Sequence, residues 1–283
     1  MSSSSKPDYS KFTDADVQKM EQMSTTSANA LLIQAGLLPV PSPPSPTSTE
    51  NPKSNSRLRI LDNACGAGIV TSLFLNALAN DTSNVDVHVT CADFEPQMVK
   101  LAKQRIEKNG WNERSRAEAV VADAQALPFA DNQFTHVLMN MGIQVVPDPA
   151  LVVKESLRVI SPSGVFGITS ASTPGWLPLI QSALGTSFTP PPMFTSGPLL
   201  SPASITTWLT EAGFTQVEVK TLSFETTSGV EEHLVVMRRM LGGEGGMLEG
   251  EMWERYEGYV RERFGQGEVR MRSEMFVTTA RKA

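Results

Sequence analysis

The sequence predicts an α/β fold in which a mostly parallel, doubly wound sheet carries helices on both faces. From Arg57 onward, short apolar runs alternate with helical patterns, an arrangement typical of βαβ units. A glycine-containing turn follows the first apolar run, and an acidic residue ends each of the next two. The chain has 283 residues, 40% of them hydrophobic, so it can bury the core of one sizeable α/β domain with an appendage.

Two stretches precede the predicted sheet. Residues 14–38 have apolar residues at helical spacing on both sides of the polar run STTS, which predicts two short helices. Residues 39–56 are rich in proline and serine and cannot build a packed core, so we expect a disordered linker. Because the apolar helices must then fold back onto the domain that follows, we interpret residues 1–38 as a lid and residues 57–283 as the main domain.

The elements of the main domain follow from the same patterns. Gly110 and Gly164 fall where the exit of a helix or turn favours a positive φ. The predicted strands are 58–62, 85–92, 118–122, 134–140, 165–170, 216–224 and 275–280. The predicted helices are 69–78, 96–109, 149–159, 202–212, 230–241 and 247–264.

Two segments are expected to roof a pocket as cap insertions. One, at about 172–200, is a proline-punctuated loop, and the other, at about 225–272, holds the last two helical patterns around the flexible run GGEGG. Four loop residues as a group suggest an apolar site, although for any single one of them packing of the loop on the sheet is the preferred explanation. They are Trp176, Phe188, Met193 and Phe194.

Composition disfavours several classes of partner. The net charge is −6 and the charges are interspersed, so no basic face is available for nucleic acid, and a small or weakly charged substrate fits better. No apolar run approaches the roughly 20 residues of a membrane span, and the start has no apolar signal region. We therefore predict a cytoplasmic protein without a membrane partner. The only cysteines, Cys65 and Cys91, are expected to be buried free thiols, neither disulfide-bonded nor part of a cysteine-rich metal site.

The first turn of the main domain carries Gly66 and Gly68 in the run RILDNACGAGIV. Glycines let ligand atoms approach the main chain, and the following helix presents free N–H groups. A dinucleotide fingerprint needs a third glycine where this chain has Thr71, and no Tyr-x-x-x-Lys pair is recognisable, so a nicotinamide oxidoreductase is disfavoured. At this point a purely structural strand-to-helix turn is an equal alternative.

Acidic residues end the next two strands. Asp93 closes the run VDVHVTCAD and Asp123 closes AEAVVAD. Ligands of a doubly wound sheet bind across the carboxyl ends of its strands, so Asp62, Gly66, Gly68 and these two acids should converge. A carboxylate after the second strand can accept both hydroxyls of a ribose, and one after the third can receive the amine of an adenine. Each acid alone has an alternative role as a helix cap.

Four stretches resemble successive motifs of class I S-adenosylmethionine-dependent methyltransferases. They are ILDNACGAG, VTCADFEPQMV, VVADAQALPFADNQFTHVLMNMGIQ and ALVVKESLRVISPSGVFGITS, which together cover roughly residues 57–170. Within that family the chain is most similar to small-molecule enzymes of the ubiquinone-biosynthesis type and of fungal natural-product pathways. The resemblance implies a Rossmann-like sheet of seven strands whose last strand, in SEMFVTTARKA, is antiparallel.

The resemblance also implies S-adenosylmethionine as the cofactor. The glycine pair would lie under its methionine part, Asp93 would hold the ribose, and Asn140 would lie near the reacting methyl. Phe94 and Met98 would flank the adenine, and the amino edge of the adenine would meet the residues after the third strand. The predicted cofactor-binding residues are Asp62, Ala64, Gly66, Gly68, Asp93, Phe94, Met98, Asp123, Ala124 and Asn140.

Two departures from the family pattern stand out. Cys65 and Ala67 replace other small residues of the turn, which is tolerable because the contacts there are mostly made by the main chain. The run after the fourth strand is NMGIQ and not Asn-Pro-Pro-aromatic, which lowers the case for a nucleobase or glutamine acceptor.

The predicted reaction is methyl transfer to an oxygen, in preference to a nitrogen or carbon, of an apolar small molecule, and a role in secondary metabolism is a further expectation. Alignment of the acceptor, the methyl and the sulfur in a dry pocket can supply much of the acceleration, so no metal is expected. A phenol or amine acceptor needs a base, for which His233 is the candidate, whereas His88 and His136 lie inside strands and are interpreted as structural. The alternative is a protein of the same fold that binds the cofactor as a scaffold or rearrangement catalyst.

Overall fold

The computed structural model describes residues 14–40, 57–79, 86–113, 116–242 and 246–283. Over these residues the strands are β1 (Leu58–Asn63), β2 (Val87–Asp93), β3 (Ala117–Val121), β4 (Phe134–Asn140), β5 (Ile160–Thr173), β6 (Phe214–Gly229) and β7 (Glu268–Lys282). The α-helices are α1 (Asp14–Gln34), α2 (Ile69–Ala79), α3 (Pro96–Lys108), α4 (Pro149–Val159), α5 (Leu177–Leu184), α6 (Pro202–Glu211), α7 (Val230–Leu241) and α8 (Glu251–Phe264).

The strands of the described residues form one sheet in the order β3, β2, β1, β4, β5, β7, β6. The pairs among β1 to β5 are parallel, and β7 lies antiparallel between β5 and β6. The predicted doubly wound sheet with an antiparallel last strand is therefore confirmed. Strand order reverses between β1 and β4, and a crevice for a ligand is expected at the carboxyl ends of these strands.

Each face of the sheet carries its own hydrophobic core. Ile60 of β1 packs with the cluster under α1, α2 and α3, and Leu61, the next residue, packs with the cluster under α4 and α6. Successive side chains of a strand point to opposite faces, so a strand covered on both faces needs a continuous apolar run. This requirement explains why β1 was readable from its sequence.

The N-terminal segment forms one helix, so the prediction of two short helices was wrong. The hydroxyls of Ser24 and Thr25 both donate to the carbonyl of Glu21. The Ser27 hydroxyl shares its one hydrogen between the carbonyl of Ser24 and the Oδ1 atom of Asn140, each 2.9 Å away. These bonds satisfy the polar run inside the helix instead of breaking it. The predicted linker lies outside the described residues, except for residues 39 and 40.

The cap differs from its prediction in two respects. The loop predicted near residues 172–200 contains α5, whose Pro178 lies in the first helical turn, where a missing N–H costs little. β6 and β7 are longer than predicted and stay paired from Phe214 opposite Lys282 to Gly229 opposite Glu268. The added residues of β6 are mostly polar, so their sequence carries little strand signal. No helix within the described part of the chain is long and apolar enough to cross a membrane.

Candidate functional site

The turn after β1 has an unusual backbone. Ala64, Gly66 and Gly68 all have positive φ values, of 51°, 54° and 85°. A β-carbon built on Gly66 would meet no atom within 4 Å, so glycine is favoured there by backbone conformation and not by lack of space. A β-carbon on Gly142 would lie 2.8 Å from that of Ala64, which shows that the loop after β4 closes directly onto this turn.

Asp62 connects the end of β1 to the first turn of α2. Its Oδ2 atom accepts hydrogen bonds from the main-chain N–H of Thr71 at 3.1 Å and from the Thr71 hydroxyl at 2.7 Å. The residue is 1% exposed, and burial raises the pKa of its carboxyl group to about 7. Asp62 therefore shapes the glycine turn from beneath.

Asp93 lies against the glycine turn, as the convergence of strand ends predicts. Its Oδ2 atom accepts from the N–H of Gly66 at 2.8 Å, and its Oδ1 atom accepts from the N–H of Glu95 at 2.9 Å. Burial raises the pKa of this carboxyl group, and the two main-chain donors act in the opposite direction. The side chain is partly exposed, so an oxygen can meet a ligand as well as the main chain.

The predicted adenine-side residues surround the end of β2. Phe94 is 56% exposed, whereas Met98 on α3 is 7% exposed. The N–H of Ala122 donates to the carbonyl of Asp93 at 3.0 Å, which holds the ends of β2 and β3 side by side. Asp123 is exposed, and its Oδ1 accepts from the main-chain N–H of Gln125 at 2.9 Å. The last predicted residue on this side, Ala124, is buried in the core under α4 and α6.

Asn140, at the end of β4, is the centre of a hydrogen-bond network. Its Oδ1 accepts from the hydroxyls of Ser27 at 2.9 Å and Thr169 at 2.7 Å. The Thr169 oxygen accepts in turn from the N–H of Met141, a residue with a φ of 60°. Sequence reasoning missed Ser27 and Thr169, because local spacing does not report which remote elements will meet.

Helix α1 runs over the whole crevice. Val17 packs in a small cluster with Ala67 of the glycine turn and with Met98 and Leu101 of α3. Further along the helix, both carboxylate oxygens of Glu21 accept from the Arg105 guanidinium, at 2.5 and 2.8 Å. The Ser27 hydroxyl then reaches Asn140. One helix therefore contacts both the adenine side and the reacting end of the predicted site.

A small cavity of about 50 Å³ opens beside the carboxyl ends of β4 and β5, beneath α1 and the cap. Of the predicted apolar loop residues, Trp176 lines it, and Phe194 packs edge-on against that ring at 5.6 Å between centroids. Phe188 is buried in the cap core and Met193 is 36% exposed. Five methionines line the cavity, namely Met23, Met141, Met240, Met271 and Met275.

The three histidines lie away from the lining of this cavity. His233 is 1% exposed in the cap core, its Nε2 atom lies 2.6 Å from the Tyr256 hydroxyl, and burial lowers its pKa to about 4. His136 pairs with the Thr135 hydroxyl at 2.9 Å, and burial lowers its pKa to about 4 as well. His88 lies 3.3 Å from Glu118.

Two other predicted features concern cysteines and metals. Cys65 and Cys91 are buried free thiols, as expected. Within the ranges that the structure describes, no group of three or more His, Cys, Asp or Glu side chains is arranged to hold a metal ion.

The residues of the crevice fit a cofactor that has an amino-acid end and a nucleoside end. The turn offers main-chain groups close to a ligand, Asp93 offers carboxylate oxygens, and Phe94 offers apolar surface. Asn63, directly after Asp62, is 1% exposed, and neither polar atom of its amide has a hydrogen-bond partner. An unpaired buried amide is costly, and a polar group bound at this turn can relieve the cost.

Comparison with known proteins agrees with this geometry. Residues 61–168 match the model of a family described as a methyltransferase domain. The methyltransferase tpcH of Aspergillus fumigatus is 32% identical over 135 residues, which are 47% of this chain and 46% of that protein. The acetylaranotin bis-thiomethyltransferase of Aspergillus terreus is 32% identical over 137 residues, 48% of this chain and 42% of that protein. The ubiquinone/menaquinone biosynthesis C-methyltransferase UbiE of Geotalea daltonii is 36% identical over 116 residues, 41% of this chain and 46% of that protein.

Solved structures extend the likeness over most of the chain. A candidate methyltransferase from Bacillus halodurans superposes with a TM-score of 0.58 at 21% identity, covering 91% of this chain and 99% of that one. The [4+2]-cyclase SpnF superposes with a TM-score of 0.53 at 16% identity, covering 92% of this chain and 82% of that one. At these identities the likeness shows the fold.

The chain spans about half the length of the curated relatives described above. Within that span lie the glycine turn, Asp93 and Asn140, which are the residues on which the resemblance depends. Over residues 61–168 the chain is therefore similar to methyltransferase domains, and over most of its length it shares their fold.

Proposed function

We propose that the protein transfers a methyl group from S-adenosylmethionine to an oxygen of an apolar small molecule. One observation carries the proposal. The glycine turn, bonded to Asp93, and the methionine-lined cavity lie at the same edge of the sheet, on either side of Asn140 and Met141. A donor site and an acceptor site so arranged meet at the end of β4.

In this proposal different residues of the chain bind different parts of the cofactor. Asp93 accepts the ribose hydroxyls, Phe94 and Met98 flank the adenine, and the glycine turn lies under the amino-acid end. The bound cofactor supplies an electrophilic methyl on a positively charged sulfur. The chain aligns the acceptor with that methyl and excludes water, which can lower the barrier by several kcal/mol.

The acceptor is proposed to lie in the cavity under the cap. The lining is dominated by thioether and aromatic side chains, which supports an apolar framework. Relatives named above act on sulfur and on carbon, so the fold accommodates more than one nucleophilic atom. The proposal has four specific parts. The acceptor atom is an oxygen, the acceptor is a small molecule and not a nucleic acid or protein, the reaction belongs to fungal-type secondary metabolism, and the protein acts in the cytoplasm.

Helix α1 is proposed to act as a lid over both sites. Its contacts with Ala67, Arg105 and Asn140 span the crevice, so the cofactor has to enter while at least part of the helix is displaced. Opening of this kind is a common gating step in enzymes that exclude water from their chemistry.

The experiment follows a labelled methyl group from S-adenosylmethionine into a panel of apolar phenols, enols, carboxylic acids, thiols and amines. Transfer RNA, DNA and bulk protein serve as controls, and a parallel arm is treated exhaustively with EDTA. We expect label in a small acceptor with and without EDTA. Label in a macromolecule would contradict the proposal, and activity lost to EDTA and restored by magnesium would contradict its metal-free form.

The second candidate function is cofactor binding without methyl transfer. It is favoured by the fold likeness to SpnF, a cyclase. Tight binding of S-adenosylmethionine without transfer to any acceptor of the panel would support this alternative.

A further inference from the structure

The cavity under the cap lacks ionisable side chains among the described residues that line it. Besides its five methionines and Trp176, the lining is made of alanine, proline, glycine, phenylalanine, threonine and serine. We propose that the acceptor reacts here as the anion of an acidic hydroxyl or thiol on an aromatic framework, with the cofactor's sulfonium as the counter-charge that the described lining residues do not supply. This inference rests on the proposed function and names the acceptor chemistry of the same site.

Side chains along the paired strands β6 and β7 alternate between the cavity and solvent, and their charged side chains are on the solvent side. On β6, Phe224 and Thr226 line the cavity, and Glu225 between them is exposed. On β7, the lining residues alternate with Arg272 and Glu274, which are both exposed. Side chains of a strand alternate between its faces, so the polar sequence of this ribbon leaves an apolar inner face.

The helices over the cavity follow the same arrangement. Met240 of α7 lines it, while the neighbouring Arg238 and Arg239 are exposed. Met23 of α1 lines it, while the carboxylate of Glu21 is held by the Arg105 guanidinium. No base or cation on these elements faces an acceptor within the described residues.

The buried His233 does not fill this gap. Its Nε2 atom is engaged by the Tyr256 hydroxyl at 2.6 Å, and the residue belongs to the cap core. Among the described residues that line the cavity, no side chain can take the proton of an acceptor. In this proposal the acceptor therefore releases its proton to solvent before it is enclosed.

The chemistry balances without a base. A lone pair of the acceptor's oxygen or sulfur anion forms a bond to the methyl carbon as the carbon–sulfur bond breaks, and that bonding pair returns to the cofactor's sulfur. One negative and one positive charge cancel, so the products are neutral at these two atoms. An apolar cavity disfavours an isolated anion and an adjacent positive charge favours it, so the affinity for the acceptor has to depend on the sulfonium.

The aromatic framework follows from the sulfur content of the cavity. Methionine side chains adapt to irregular shapes and make favourable contacts with the edges of aromatic rings. Five thioethers and one indole therefore suit a flat, polarisable acceptor. Because the cavity measures only about 50 Å³, α1 has to be displaced for an aromatic ring to fit. A protonated amine is excluded by repulsion from the sulfonium, and an aliphatic alcohol is excluded because it is not acidic enough to ionise in solvent.

The test measures binding of 4-nitrophenol to the full chain, by calorimetry and by the absorbance of its ionised form. One sample contains sinefungin, which carries an ammonium group near the position of the sulfonium, and the other contains neutral S-adenosylhomocysteine. We expect binding about tenfold or more tighter with sinefungin, and a lower pKa of bound 4-nitrophenol in that complex. Equal affinities and equal pKa values would overturn the inference.

A charge-insertion variant supplies a second readout. Met240→Lys places a cation at the cavity and should make binding of 4-nitrophenol nearly independent of the cofactor analogue, whereas the uncharged control Met240→Gln should retain the dependence. A Met240→Lys variant that keeps the full dependence would contradict the inference. Binding of neither analogue to the protein would instead overturn the proposed function, so the two failures are distinguishable.

Discussion

Replacement of Asp93 by asparagine tests the proposed ribose site with the smallest change of shape. In the structure each carboxylate oxygen accepts one main-chain hydrogen bond, from Gly66 at 2.8 Å and from Glu95 at 2.9 Å. Asparagine keeps one acceptor and presents an NH₂ group at the other position. One main-chain donor then loses its partner, which should destabilise the fold by about 1–3 kcal/mol.

The effect on cofactor binding should be of similar size. A carboxylate that accepts ribose hydroxyls contributes charge-assisted hydrogen bonds, and their loss should cost about 1.5–3 kcal/mol. This corresponds to a dissociation constant for S-adenosylmethionine that rises roughly 10- to 160-fold. Burial raises the pKa of the Asp93 carboxyl, so on acidification this group takes up its proton at a higher pH than an ordinary aspartate does. Binding of S-adenosylmethionine to the wild type should weaken from that higher pH downward.

Isothermal calorimetry of the folded variant measures the affinity, and thermal unfolding measures the structural cost separately. The matched control is Asp86→Asn, because Asp86 precedes the opposite end of β2 and its carboxylate pairs with Arg59 on the surface. This control should bind S-adenosylmethionine like the wild type. An unchanged affinity in a folded Asp93→Asn protein would remove Asp93 from the ribose site.

Three further predictions concern the turn and the lid. Gly66→Ala should destabilise the protein by about 1–2 kcal/mol because φ is 54° at that position. Gly258→Ala on α8 should stabilise it by about 0.5–1 kcal/mol, because nothing crowds a new β-carbon there. Chemical denaturation of both variants measures the two changes in the free energy of unfolding. Burial raises the pKa of Asp62 to about 7, so its contribution to stability is complete below the unfolded-state pKa and is lost as the pH rises through about 7. Asp62→Asn should remove that step from denaturation curves recorded at several pH values, and an unchanged pH dependence would contradict the assignment. Ser27→Ala should accelerate amide exchange in α1 and reduce the protection that S-adenosylmethionine gives to its amides. The control Thr25→Ala loses only a hydrogen bond within the helix and should keep that protection. Equal protection in the two variants would contradict the proposal that α1 is a lid.

Much of the main sheet could be predicted because its strands are buried on both faces. A parallel strand between two helical layers has to be largely apolar, so β1, β2 and β4 are visible as mainly apolar runs that end in polar residues. The order of these runs then places Asp93 beside the glycine turn, and the structure has this contact. The roles of these residues toward a cofactor stay predictions.

Local sequence patterns did not predict helix α1 or the outer part of the β6–β7 pair correctly. The run STTS favours a break when it is considered alone, but its hydroxyls are satisfied by carbonyls within α1 and by Asn140 of β4. The outer part of β6 pairs with β7 through main-chain hydrogen bonds, which polar side chains do not prevent. In both cases the deciding partner is remote in sequence.

The sequence by itself determined the strands of the main sheet, most of the helices between them, the glycine turn after β1 and the acids at the strand ends, because spacing, apolar runs and glycine act within a few residues. Only the tertiary structure decided that α1 lies across the crevice and that α1, β5, β6, α7 and β7, with the loops after β4 and β5, enclose one cavity without an ionisable lining residue among those described. These segments are spread over the chain, and which of their side chains turn inward is set by the packing of the elements against one another.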